Sequence, residues 1–117
     1  MSKQASGEPT FLILTALAAG AQHGYGIMTD VTAISKGRVK LRAGTLYAAL
    51  DRLSGEGAVQ VDREEIVDGR LRRYYKLTAS GAQILAGEVA RMQANAAVAS
   101  KRLKRLTAGP AHAGGAA

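Results

Sequence analysis

Residues 43–77, AGTLYAALDRLSGEGAVQVDREEIVDGRLRRYYKL, change their hydrophobic period once, and that change decides the fold. In the first part Leu46, Leu50 and Leu53 recur at steps of four and three, the spacing of one helix face. Gly55 and Gly57 then end the run as helix C-caps do. The expected helix starts near Ala43 and carries Thr45, Ala48, Ala49 and Arg52 on its other face. From Ala58 the period is two. Val59 and Val61 alternate with polar residues, and Leu71, Tyr75 and Leu77 alternate with Arg72, Tyr74 and Lys76. Two half-buried strands follow, joined at Asp68-Gly69, a dipeptide that supplies the positive φ angles of a tight hairpin turn.

Upstream lie two more helical patterns. Pro9 followed by Phe11, Leu12, Ile13, Leu14, Ala16 and Leu17 reads as a short buried helix ended by Gly20. From Gly24 to Ser35, Ile27, Val31 and Ile34 take the i, i+4, i+7 spacing of an amphipathic helix that stops at Lys36-Gly37. Downstream, Thr78 is suited to cap a long helix that runs to about Leu106. Leu85, Val89, Met92, Ala96, Ala99, Leu103 and Leu106 repeat along it at steps of four and three. So narrow and alanine-containing a heptad seam suits another helix better than a broad globular core. Residues 1–8 are expected to be flexible, and residues 107–117, rich in glycine and lacking apolar periodicity, to be disordered.

At 117 residues the chain fits one folded body and not two catalytic domains. Its 16 Lys and Arg against 9 Asp and Glu give a formal charge of +7, which favours a polyanionic partner. The lack of cysteine rules out disulfides, thiolate zinc sites and thiol nucleophiles. The longest apolar stretch, Phe11 to Ala19 broken by Thr15, falls well short of the roughly 20 residues needed to span a bilayer, and no signal peptide is recognisable. A cytoplasmic protein is expected. His23 has no partner at metal-ligand spacing and His112 lies in the tail, no catalytic set stands out, and the Gly24 and Gly26 pair is too short for a phosphate loop. Neither enzyme activity nor a cofactor or metal is expected.

The order of three helices, a hairpin and a long helix is that of a winged helix-turn-helix, mainly α with a small β-hairpin (α+β), followed by a helix for association. Several separated motifs carry a more specific likeness. They are His23-Gly24-Tyr25-Gly26, Ala43-Gly44-Thr45-Leu46-Tyr47-Ala48-Ala49-Leu50 with Arg52-Leu53, Glu56-Gly57, and Arg72-Arg73-Tyr74-Tyr75-Lys76-Leu77-Thr78 with Gly81. In this order they resemble the PadR-like regulators over roughly residues 9 to 106. The chain departs from the family in having Ala43 where a proline usually precedes the Gly-Thr-Leu-Tyr motif, which leaves the helix start less fixed. Its C-terminal part is a single helix, as in the smaller subfamily.

The resemblance implies a homodimeric repressor with a DNA-binding domain at 9–78, its third helix in the major groove of double-stranded DNA and its hairpin wing on the backbone. The helix at 79–106 would build the dimer through Leu85, Val89, Met92, Ala96, Ala99, Leu103 and Leu106. It also implies a small-molecule effector, often aromatic or largely apolar, entering at the dimer interface to loosen DNA. Thr45 and Tyr47 then reach bases or phosphates, or else cap and pack the helix. Gly44 is a close-approach position. Tyr25 either bonds a phosphate or fills the seam between the first helices. Lys36, Arg38, Lys40 and Arg42, at every second position, form a phosphate clamp or a solvated basic loop, with Arg52 further along. Arg70, Arg72 and Arg73 share that ambiguity in the wing, where Glu64 and Glu65 oppose them. The cluster Lys101, Arg102, Lys104 and Arg105 reads as a complement to the helix dipole. A second function class is a winged-helix module whose apolar seam holds a protein partner, and the salt dependence of DNA binding separates the two.

Overall fold

The computed structural model describes residues 7–108, so residues 1–6 and the tail from 109, with His112 and most of the segment expected to be disordered, lie outside the described residues. The chain divides into two compact units, one ending at Ala86 and the other starting at Gly87.

In the first unit, helix α1 (Glu8–Ala18) begins with Pro9 in its first turn, where the missing N–H costs nothing. It is apolar almost all round and buries Leu12, Ile13, Leu14, Ala16 and Leu17. Helix α2 (Gly24–Ile34) contributes Ile27 and Val31, and α3 (Ala43–Gly55) contributes Leu46, Ala49, Leu50 and Leu53. With Ala58, Val59 and Tyr75 these side chains make one core. Ala49 is buried rather than turned outward as expected. It lies three residues after Leu46 and four before Leu53, hence on the same helix face. Ile34 departs the other way: it is the last residue of α2 and is 39% exposed, beyond the reach of the core.

Strands β2 (Val59–Val67) and β3 (Arg70–Leu77) form the expected hairpin, with Asp68 and Gly69 both at positive φ. The sheet is three-stranded, in the order β1-β3-β2, where two strands were expected. The extra strand, β1 (Gln22–His23), lies between α1 and α2 and pairs antiparallel with Tyr75 and Tyr74. The Gln22 amide holds it there, donating to the Ala16 carbonyl at 2.9 Å and to Asp30 at 3.3 Å. In β2 an irregularity at Asp62 shifts the register, so that Val61 faces Tyr75 but Ile66 faces Leu71. The expected alternation is present, but the outer half of the hairpin extends past the core. Val61 and Leu71, expected half-buried, are 43% and 56% exposed.

Helix α4 (Ala79–Ala108) starts as the sequence predicts: the Thr78 hydroxyl accepts the Gly81 N–H at 2.9 Å. The same hydroxyl donates to the Gly57 carbonyl at 2.5 Å, and the Thr78 N–H donates to Ala58 at 3.0 Å. Ile84 and Leu85 pack against the core of the first unit. In the second unit the described residues, 87–108, are helical, and Val89, Met92, Leu103 and Leu106 are all exposed.

Candidate nucleic-acid interface

Helix α3 presents its first turn to solvent. Arg42 is its N-cap residue, in extended conformation, and no side chain caps the helix. The free amides that begin any helix are therefore open to an anion, beside the exposed Gly44 and Thr45. Lys40 and Arg42 lead into it along an irregular segment and have no ion pair among the described residues. The clamp expected from the alternating basic residues is shorter than the sequence suggests. Lys36, at φ 55°, sits in the turn that closes α2, and Arg38 makes a two-pronged pair with Glu8 at 2.7 and 2.5 Å. Arg52 is likewise engaged, donating to the Thr10 hydroxyl at 2.9 Å and lying 3.9 Å from Glu56, so it ties α3 to α1.

A cleft of about 470 Å³ separates α3 from the hairpin. One wall is Gly24 and Tyr25 at the start of α2 with Tyr47 of α3, and the other is Arg70 to Arg73 of β3. It exists because β1 covers β3 only at Tyr74 and Tyr75, after which the chain turns into α2 and leaves the outer edge of β3 unpaired. Four of the predicted contact residues, Tyr25, Tyr47, Arg70 and Arg72, are thus brought together. Tyr25 is 70% exposed and does not fill a seam. Tyr47 is 44% exposed, yet its phenol leans on Gly24, where an added Cβ would sit 2.1 Å from the hydroxyl oxygen. Gly24 is needed there for that close approach.

The electrostatics of the wing divide its arginines. Arg73 pairs with Glu64 at 2.8 Å, and Arg63 pairs with Glu65 at 3.0 Å and Asp62 at 3.1 Å while its guanidinium lies 3.9 Å above the Tyr74 ring. These contacts hold the Glu65 carboxyl below, and the two guanidiniums above, their ordinary ranges. Glu64 and Glu65 therefore neutralise Arg73 and Arg63. Arg70 and Arg72 have no ion pair among the described residues. His23, which the sequence left unassigned, lines the cleft with its ring edge-on to Tyr74 at 5.4 Å. Burial and, secondarily, the Arg72 charge push its imidazole below the usual range, against an opposing pull from Glu65. It is neutral at pH 7, and the positive charge of the cleft is that of the arginines.

Among the described residues no helix is long and apolar enough to cross a membrane, and no cluster of His, Asp and Glu is placed to hold a metal. Fold and cleft together define a winged helix-turn-helix protein of the nucleic-acid-binding kind. Residues 13–87 match the family described as "Transcriptional regulator PadR-like family", and the chain belongs to that family, one of DNA-binding transcription regulators rather than enzymes. A structure of a PadR family transcription regulator from hypervirulent Clostridium difficile is 24% identical, with a TM-score of 0.69, over 83% of this chain and 99% of that one. The structure of Bacillus subtilis PadR in complex with operator DNA is 26% identical, with a TM-score of 0.61, over 68% of this chain and 46% of that one. An uncharacterised protein of Lysinibacillus sphaericus is 26% identical over 70 residues, and the chain spans 64% of that relative's length.

Proposed function

We propose that this protein is a sequence-specific transcriptional repressor that acts as a homodimer on a near-palindromic operator, with α3 in the major groove and the hairpin on the backbone. The observation that carries this is the cleft, where two exposed phenols and two unpaired arginines stand beside the uncapped first turn of α3. The B. subtilis protein of the same family has been seen on operator DNA. A dimer is supported by the exposed apolar series on α4, where Met92 is 47%, Leu103 59% and Leu106 70% exposed. Ala96 and Ala99 continue that series, and Leu85 does not, because it packs within its own unit. Two recognition helices related by a two-fold axis would read half-sites about one helical turn apart. A largely apolar effector entering between the α4 helices would release DNA by separating the two half-site readers. Such a protein works where the DNA is, in the cytoplasm.

Thr45→Ala and Tyr47→Ala test the site. Each is expected to weaken operator binding by roughly 1–3 kcal/mol while leaving the melting temperature nearly unchanged. Leu50→Ala is the contrast: its side chain is fully buried, and its removal is expected to cost about 2–5 kcal/mol of stability. If Tyr47→Ala chiefly lowers the melting temperature, its packing on Gly24 is its role and it is not a contact.

A further inference from the structure

The hairpin tip carries an apolar pair that the core does not account for. Ile66 stands directly opposite Leu71, the last pair on its face before the final Val67–Arg70 pair and the turn at Asp68-Gly69. They are 70% and 56% exposed. Both lie on the face that carries the buried Tyr75 nearer the core, and the irregularity at Asp62 is what brings Ile66 onto it. The next pair inward on that face, Arg73 with Glu64, is already neutralised as an ion pair. Leu71 also lines the cleft, together with Tyr25 and Tyr47.

We propose that Ile66 and Leu71 are a DNA contact, packing against the sugar walls of the groove next to the one that holds α3. This rests on the DNA-binding reading above. The charge around the pair selects the occupant. Arg70 and Arg72 are unpaired among the described residues, Glu65 is taken up by Arg63, and Asp68 alone opposes them, so the tip is net positive and fits phosphates on either side of the apolar pair. The cleft selects the groove. With α3 in the major groove, one strand's backbone fills the cleft, and beyond that backbone lies the minor groove. Its walls are deoxyribose C–H surface, which takes aliphatic side chains without hydrogen bonds and without regard to base identity.

Such a contact has a signature that an ionic one lacks. Arginines on phosphates release counterions, so removing one flattens the dependence of affinity on salt by about one unit of log–log slope. An apolar contact releases none, and its loss weakens binding equally at every salt concentration. The experiment compares wild type, Ile66→Ser with Leu71→Ser, and Arg70→Ala with Arg72→Ala. Each binds, from 50 to 200 mM salt, a fluorescent duplex that the wild-type protein recovers from a random-sequence pool. The serine pair is expected to bind about tenfold more weakly throughout, the effect of withdrawing some tens of Å² of apolar surface per residue, with slope, melting temperature and molar mass unchanged. The alanine pair is expected to reduce the slope by about two. Unchanged affinity in the serine pair, or a changed slope, overturns the proposal while the DNA-binding reading stands. A changed molar mass overturns it too, because the pair would then be a contact between copies. Failure of the wild type to recover any duplex overturns the DNA-binding reading and the proposal together.

Discussion

Met92→Glu is expected to turn the dimer into a monomer and to weaken operator binding about a hundredfold. Met92 is roughly half exposed on α4, in a series with Val89, Leu103 and Leu106 that leaves a continuous apolar stripe open to water in a single copy. A carboxylate placed in the seam between two such helices must be stripped of water with no partner, which costs several kcal/mol. Separation of the helices is the cheaper response. A monomer holds one half-site, and the effective concentration that made the second contact intramolecular is lost, which accounts for the hundredfold. Leu103→Glu tests the same seam less severely, since Arg102 and Lys104 flank it and can partly compensate a new carboxylate. Light scattering gives the molar mass and anisotropy the affinity. A Met92→Glu dimer would move the interface elsewhere, and a monomer with wild-type affinity would remove dimerisation from the account.

Gly81→Ala is expected to destabilise the DNA-binding unit by roughly 3 kcal/mol, lowering its melting temperature by on the order of 10–20 °C. Gly81 is buried in the first turn of α4, and a Cβ there would lie 2.0 Å from the Ala58 carbonyl oxygen and 2.9 Å from its carbon. That carbonyl cannot turn aside, because it accepts the Thr78 N–H, while the neighbouring Gly57 carbonyl accepts the Thr78 hydroxyl. The clash is with backbone, so α4 must lift off the Gly57–Ala58 segment. Gly87→Ala is the control. A Cβ there would meet only an arginine nitrogen at 3.9 Å, and replacing a mid-helix glycine is expected to stabilise by up to about 1 kcal/mol. Equal melting temperatures for Gly81→Ala and wild type would contradict the contact.

Features that depend on near neighbours were legible in the sequence, and those that depend on distant partners were not. The helical steps of Leu46, Leu50 and Leu53, the Asp68-Gly69 turn and the Thr78 cap each involve residues within a turn or two of one another. The two residues of β1 are too few to show a period, and their strand conformation comes from pairing with β3 some 50 residues on. Ala49 could be assigned to either side of its helix until neighbouring elements showed which side was covered. At the site, the phenols and the wing arginines were visible as motif residues. The division of the charges was not, because it depends on partners across the sheet and along the chain: Arg73 on Glu64, and Arg38 on Glu8 thirty residues away. His23 and Gly24 belong to the His-Gly-Tyr-Gly motif, and only the cleft shows what that motif builds.

The central claim, that this chain reads duplex DNA through a cationic cleft, is tested most directly by measuring the affinity of the intact protein for its recovered operator and for a scrambled duplex at 50 and 200 mM salt. About six phosphates neutralised across the dimer predict a roughly thousandfold loss of operator affinity over that range. Sequence reading by α3 predicts at least about a thousandfold preference for the operator over the scrambled duplex. A flat response to salt, with equal affinity for the two duplexes, would contradict the account and favour a protein partner on the α4 seam.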